Sequence, residues 1–355
     1  MTMLADRVDG VIGVDTHRDT LTAAAVTAVG GLLGQVAVAA DAAGYQRLLN
    51  FARAQVAGRR CWAVEGAGSY GAGLVQMLVE RGEWVVEVDR PERPTRRGGK
   101  TDALDAVRAA RQALTQERPT MPRRRGDREA LRVLLATRQG AVVARTCAIN
   151  QLKALIVGAP EELRAELRGR NTSSQVTYCA LLRNRPARSL EHRMTIRALR
   201  STAQRVQVLA AEAAELEGEM GRLVAAVAPW LLELPGMGPI SAAQVLVSWS
   251  HTGRLRSEAA FAALAGVCPI PASSGQVTRH RLNRGGDRQL NRALHTVAQV
   301  RLRDDPTTRA YAARRRGDGK SPREIRRCVK RAIARHLFKL LQRYDRPDVQ
   351  VVRIC

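Results

Sequence analysis

Short apolar runs broken by turn residues open the chain. Val11 to Asp15, Leu21 to Val26 and Leu32 to Ala39 are three such runs, and turn-prone residues such as Gly30-Gly31 lie between them. Runs this short and this close predict an antiparallel meander of three strands. The period then changes. An amphipathic helix is predicted over about 42–56, a strand over 61–65, a helix after Gly71 and a strand over 84–88. A meander followed by alternating helix and strand is an α/β pattern, with the later strands added in parallel. The Arg/Pro/Gly-rich residues 90–99 read as a loop, and Lys100-Thr101-Asp102-Ala103-Leu104-Asp105-Ala106 opens another helix.

The middle of the chain has a helical period throughout. Leu135, Val142, Ile149 and Ile156 recur every seven residues, with Leu131 and Leu152 beside them. From Ala203 onward, apolar residues at 206, 209, 213, 216, 220, 223 and 227 alternate steps of three and four, a heptad seam over about three repeats. A polar, Arg-rich stretch at about 160–200 separates the two. This arrangement predicts an antiparallel hairpin or an oligomerisation arm; two helices packed inside one globular domain satisfy the same periodicity. The last third begins at Leu234-Pro235-Gly236-Met237-Gly238-Pro239, the pattern of a helix-hairpin-helix. There the tight Gly236-x-Gly238 turn lets backbone N–H groups approach a phosphate at a helix start. Arg-rich helices complete the chain.

Composition narrows the partner. The 355 residues carry 58 Lys+Arg against 33 Asp+Glu, a formal net charge of +25, and only five of the basic residues are lysine. That arginine excess, with abundant Ala and Gly, points to a GC-rich bacterial genome. A hydrophobic content of 45% excludes a wholly disordered chain. No uninterrupted apolar run reaches about 18 residues, so no membrane span is expected. The opening MTMLADRVDG places acids where an export signal needs basic and then apolar residues. Six cysteines without a CxxC pair exclude the usual zinc knuckle and suit reduced thiols in a cytosol. The charge is also unevenly spread: residues 1–90 balance at −2, residues 91–274 at +12 and residues 275–346 at +15. A basic excess confined to the later part of a chain points to a polyanion, with nucleic acid the first candidate.

Four acids stand out against this background. Asp15 ends the first strand in Gly13-Val14-Asp15-Thr16-His17, and Glu65 ends a later one in Trp62-Ala63-Val64-Glu65-Gly66. Asp102 and Asp105 are three apart and share a helix face. If the first and fourth strands are neighbours, as in an RNase H-like sheet, all four converge. Carboxylates brought together repel one another unless a dication neutralises them, and an all-oxygen set favours Mg²⁺ or Mn²⁺. Taken singly, each acid has a plainer reading: Asp102 as a helix cap, Asp105 as a partner of the helix dipole, Asp15 and Glu65 as strand-end polar residues. His17 borders the group, where a structural role suits it.

These residues resemble the DEDD-type transposases of the insertion-sequence-110 family, which also includes pilin-type DNA invertases. The resemblance rests on Gly13 to His17, Val64-Glu65-Gly66, the KTDALDA segment, the Leu234–Pro239 turn, the Ser273-Ser274-Gly275 run and Asn283 to Arg288. It implies an RNase H-like α/β N-terminal domain (1–118), a helical coiled-coil middle (119–228) and a mainly α C-terminal transposase domain with the helix-hairpin-helix (229–355). Asp15, Glu65, Asp102 and Asp105 would hold the catalytic metal. A serine nucleophile would come from Ser273-Ser274-Gly275, with Ser274 favoured and Ser273 as the alternative. The arm would join protomers into a homo-oligomer, as a dimer of dimers, with sites composed from two chains. A structured non-coding RNA would pair with donor and target DNA, in the bacterial cytoplasm at the nucleoid.

Arg279, Arg281, Arg284 and Arg288 follow the serines closely and suit clamps on adjacent phosphates. In this reading the serine attacks a phosphodiester to leave a 5′-phosphoserine and a free 3′-OH. Two other readings remain open on the sequence. One is a junction-resolvase-like metal nuclease that uses water on the same acids. The other is an inactive nucleic-acid-binding relative.

Overall fold

A computed structural model describes residues 2–89, 101–183, 189–273, 275, 280–281, 283 and 285–344. The chain divides into two compact units, Met1–Arg125 and Gly126–Cys355.

The first unit is built on one mixed sheet. Strands β1 (Gly10–Thr16), β2 (Thr20–Thr27) and β3 (Leu32–Ala39) form the expected meander. Helix α1 (Ala42–Gln55), strand β4 (Arg60–Glu65), helix α2 (Ala72–Glu80) and strand β5 (Trp84–Val88) follow, giving the order β3-β2-β1-β4-β5. β4 runs parallel to β1, and β5 parallel to β4. Central β1 is covered on both sides, so it reads as a nearly continuous apolar run rather than an alternating one. Its Ile12 and Val14, with Trp62 and Val64 of β4, face α1 and α2. Val11, Cys61, Ala63, Val86 and Val88 face the opposite way, against helix α3 (Asp102–Leu114).

Helix α3 starts where its residues demand. The Thr101 hydroxyl accepts from Leu104 N at 3.3 Å, so the cap is Thr101 and not Asp102. Asp102 and Asp105 therefore fall in the first helical turn, where the helix dipole favours anions. The buried face of α3 is almost all small: Ala106, Val107, Ala109, Ala110, Ala113 and Leu114. Opposite it stands Gly13. A Cβ added there would collide with the Ala106 carbonyl oxygen and lie 2.6 Å from Ala110 N. Alanines on the helix and a glycine on the strand let the two backbones touch.

The second unit is helical. Helix α4 (Asp127–Val157) lies antiparallel to the longer α7 (Leu190–Val227). Leu131 packs with Met220 and Val224, whereas Ala148, Leu152 and Ile156 pack with Leu199, Ala203 and Val206. Arg138 of α4 pairs with Glu217 of α7 at 2.9 Å. The buried positions of α7 include Val206, Ala213 and Met220, as the heptad requires. On α4 the buried seam runs through Leu131, Ala141, Ala148 and Leu152, leaving Leu135, Val142 and Ile149 half-buried. The Arg-rich stretch expected to separate the two helices is largely helical itself. Helices α5 (Glu161–Arg168) and α6 (Thr172–Ala180) occupy it, and α7 begins at Leu190 rather than near Ala203. Leu167, Val176 and Cys179 supply the buried contacts that a charge count along this stretch conceals.

By length and composition alone α4 is the one helix among the described residues long and apolar enough to cross a bilayer, yet its Leu131, Ala148, Leu152 and Ile156 are buried in cores shared with α7. Its apolar residues are scattered among Arg, Thr and Gln, which is why no uninterrupted run signalled it.

The remaining elements share a core with the ends of α4 and α7. They are α8 (Pro229–Leu232), α9 (Pro239–Trp249), α10 (Glu258–Leu264), α11 (Arg288–Asp304), α12 (Pro306–Gly317) and α13 (Pro322–Tyr344), while the two-residue strands β6 (Ile270–Pro271) and β7 (His280–Arg281) pair with each other outside that core. Trp249 meets Phe261 and Phe338 edge to face, with centroids 5.9 and 5.4 Å apart. The carboxylate of Asp287 caps α11 by accepting from Gln289 N and Leu290 N, and it also takes the Ser248 hydroxyl of α9 at 2.5 Å.

Candidate metal centre

The parallel pairing of β1 with β4 places two of the acids. Its register reaches Val14 opposite Val64, and the next residues on the two strands are Asp15 and Glu65. Strand side chains alternate, so both acids leave on the side of Gly13 and Ala63, the side that α3 covers. The Gly13 contact then sets the first turn of α3, with Asp102 and Asp105, over the same strand ends.

Three donor atoms come together there. Asp15, His17 and Asp102 each offer one atom, all within 4.8 Å of one another. His17 Nε2 lies 3.3 Å from Asp15 Oδ2 and 3.4 Å from Asp102 Oδ1. The nitrogen is buried, and no hydrogen bond satisfies it. Glu65 and Asp105 border the trio without belonging to it. The Glu65 backbone carbonyl accepts the Thr16 hydroxyl at 2.9 Å, and the Asp105 carboxylate takes Arg108 Nη1 at 2.8 Å.

The electrostatics of Asp15 follow from this company. It is 7% exposed. Burial raises its carboxyl above the ordinary range, His17 pulls it down, and the negative charges of Asp102 and Asp105 push it up again, for a net rise. The anion is uncomfortable as it stands and would be relieved by a cation.

These residues fit a divalent ion. Bonds of about 2.0–2.2 Å to one ion set neighbouring donors roughly 3.0–3.5 Å apart, the range of the two His17 separations. A buried nitrogen that faces two carboxylates at ion-pair distance without good hydrogen-bond geometry to either is the second sign. His17 enters the site through its spacing: residues i and i+2 of a strand end share a face, and the β1–β2 turn fixes it there through His17 N to Thr20 O at 3.0 Å.

The second unit holds the other candidates. Ser273 follows β6 and is exposed; Ser274, Arg279 and Arg284 lie outside the described residues, as does Lys100. Arg281 on β7 and Arg288 at the start of α11 are exposed. Gly236 takes a φ of +74°, and a Cβ there would lie 3.1 Å from Val297 O of α11. Gly238 is the N-cap residue of α9. Arg301 Nε, also on α11, donates to Pro235 O at 2.7 Å. The Gly236 turn is thus packed against α11.

Beside the β6–β7 hairpin lies a cleft of about 1000 Å³ with a basic lining that includes Arg281, Lys320, Arg327, Lys330, Arg331 and Arg335. Arg327, Arg331 and Arg335 recur every four residues, so they share one face of α13, a signal present in the sequence. Lys330 is buried and donates to Asn291 Oδ1 at 2.7 Å. Burial first, and then Arg326, lower its pKa.

Two family models match the chain. Residues 12–159 match a DEDD-type IS110 model described as a transposase, and residues 228–313 match one described as transposase IS116/IS110/IS902 family. Among curated relatives, the uncharacterized 42 kDa protein of insertion element IS900 from Mycobacterium paratuberculosis is 28% identical over 320 residues, covering 74% of this chain and 78% of its own. The uncharacterized 44.8 kDa protein of insertion element IS116 from Streptomyces clavuligerus is 28% identical over 356 residues, covering 87% and 88%. The uncharacterized 43.6 kDa protein of insertion element IS110 from Streptomyces coelicolor is 32% identical over 130 residues, covering 36% and 32%.

Proposed function

We propose that the chain is an insertion-sequence transposase of the IS110/IS116/IS902 family, whose models match residues 12–159 and 228–313, and that it cuts and rejoins DNA at a metal-dependent site in its first unit. The observation that carries this reading is the meeting of buried Asp15 with Asp102 from the exposed first turn of α3, with the charge of Asp105 also bearing on Asp15. In this reading the first unit is an RNase H-like domain. Asp15, Glu65, Asp102 and Asp105 hold Mg²⁺ or Mn²⁺, which supplies charge neutralisation at the phosphate and activation of the attacking hydroxyl.

The chain's own residues do the rest. Asp15 and Asp102 fix where positive charge sits, Asp15 from the buried strand end and Asp102 from the solvent-facing start of α3. The nucleophile is the hydroxyl of Ser274, or of Ser273 beside it. Its oxygen bonds to phosphorus while the P–O3′ bond breaks, leaving a 5′-phosphoserine and a free 3′-OH that takes up the serine's proton. The reverse reaction with another 3′-OH reseals the strand, and the phosphodiester energy is kept in the covalent linkage.

Arg279, Arg281, Arg284 and Arg288 engage neighbouring phosphates, and the Gly236–Gly238 turn approaches the backbone of the same nucleic acid. The basic lining of the β6–β7 cleft supports this use of the second unit. A structured non-coding RNA pairs with donor and target DNA, which leaves the protein to read phosphate rather than base edges. The paired α4 and α7 serve as the arm that joins protomers into a dimer of dimers, working in the bacterial cytoplasm at the nucleoid.

Incubation with DNA spanning an element end, its flanking RNA and Mg²⁺, followed by strong denaturant, tests the serine step. A protein–DNA adduct that survives denaturant and disappears when both Ser273 and Ser274 are replaced by Ala is the expected result. Cleavage that yields free 5′-phosphate ends and no adduct would instead make water the nucleophile.

A further inference from the structure

We infer that His17 is itself a ligand of the cation, so that the centre is a mixed nitrogen–oxygen site selective for a first-row transition ion over Mg²⁺. The inference rests on the reading that the carboxylates hold a divalent ion, and it names which ion and through which third residue.

Three observations support it. Asp15, His17 and Asp102 form the one group of three potential ligands among the described residues whose donor atoms all lie within 4.8 Å of one another. The Nε2 atom of His17 is within 3.4 Å of a carboxylate oxygen of each acid. That nitrogen is also buried without a hydrogen bond, although the rest of the ring is substantially exposed and could have turned it to water. An imidazole nitrogen held at ion-pair distance from two carboxylates, with its lone pair able to face the same point as their oxygens, is placed as a ligand would be. By contrast, Asp105 is occupied by Arg108 at 2.8 Å.

The backbone makes the placement rigid. His17 N donates to Thr20 O at 3.0 Å, and Thr16 is paired both across β2 and to Glu65 O. The ring thus leaves a fixed strand end on the side where Asp15 leaves.

Ligand chemistry then sets the preference. Mg²⁺ is a hard ion that takes oxygen and keeps its waters, and one imidazole adds little to its binding. Mn²⁺ and the later divalent ions accept oxygen and imidazole nitrogen together, with affinity rising along the series. A site with two carboxylates and one imidazole therefore ranks Mn²⁺ above Mg²⁺ more strongly than an all-carboxylate site does.

Electron spin-echo spectroscopy of Mn²⁺ bound to the full-length protein reads this directly, without turnover. The wild type should show the modulation of a directly bound ¹⁴N nucleus. Labelling with ¹⁵N-histidine should replace that modulation with the ¹⁵N pattern, and it should vanish in His17→Ala. The same substitution should lower Mn²⁺ affinity by about tenfold or more and change Mg²⁺ affinity by less than about threefold.

The ¹⁵N comparison uses no variant, so a folding defect in His17→Ala leaves the test intact. Mn²⁺ that binds, is lost in Asp15→Asn and shows no nitrogen coupling in the wild type would overturn the role of His17 and leave the carboxylate site standing. Mn²⁺ that fails to bind in an Asp15-dependent way would remove the carboxylate site and the role of His17 together.

Discussion

Asp15 bears opposing demands. Its carboxyl is raised above the ordinary range by burial, by Asp102 and by Asp105, against the pull of His17. A carboxyl whose folded pKa exceeds its unfolded one destabilises the metal-free fold at neutral pH, and that cost fades as pH falls through the raised value. Asp15→Asn should therefore raise the melting temperature of the metal-free protein by a few degrees, while melting curves with and without Mn²⁺ become identical. A lower melting temperature in the variant would contradict this account of the site. Glu83 behaves in the opposite way. Burial pushes its pKa up, but hydrogen bonds from Arg60 and Trp62 and the charges of Arg60 and Arg53 outweigh it, and the net shift is downward. Its contribution is present above the unfolded value of about 4.3 and is lost as pH falls through the lowered folded value. Glu83→Gln should cost about 2–3 kcal/mol at neutral pH in urea unfolding, with a smaller penalty on acidification below about 4.3. The sequence showed Asp15, Glu65, Asp102 and Asp105 as charges in awkward places. It did not separate Asp15 and Asp102, which meet His17, from Asp105, whose partner Arg108 is three residues along the same helix.

At the scale of elements, the centre depends on how close α3 comes to β1. Gly13 has no room for a Cβ against Ala106 and Ala110, so the distance between helix and strand is set by the absence of a side chain. Gly13→Ala should push α3 outward, cost about 1–3 kcal/mol, and weaken Mn²⁺ binding although no ligand has changed. Calorimetric titration of the variant checks this; unaltered Mn²⁺ affinity would show that the close approach does not position Asp102. The strands and the first three helices were legible because each switches period within a few residues and is bounded by turn residues. The α5–α6 stretch was not. Its arginines dominate a charge count, and the few apolar residues that bury it, such as Leu167, Val176 and Cys179, are too widely spaced to register as one element. On α4, alanines at 141 and 148 take the buried seam, and a reading weighted towards large apolar residues favours Val142 and Ile149 instead.

Across the whole molecule, the net charge of +25 is unevenly divided. Residues 1–90 are close to neutral and supply Asp15 and Glu65, whereas the basic lining of the β6–β7 cleft lies in the second unit. Nucleic-acid affinity should fall steeply with salt, with a slope near 0.9 per phosphate neutralised on duplex DNA. Replacing Arg281 and Arg288 with Ala should reduce that slope by about 1 for each phosphate contact removed, and filter-binding titrations over a salt series measure it. An unchanged slope would move the contacts elsewhere. The change of period from strands to long helices was visible in sequence, and the sharing of one core by the paired helices and the last third was not, because periodicity reports a buried face without naming what covers it. The most direct test of the account is strand cleavage of DNA carrying an element end, with the flanking RNA present and divalent ion added or chelated, by wild type and by Asp15→Asn. Ion-dependent cleavage by the wild type, abolished in the variant while nucleic-acid binding persists, is the predicted result. Cleavage that survives chelation or survives Asp15→Asn would contradict a metal centre built on this edge of the sheet.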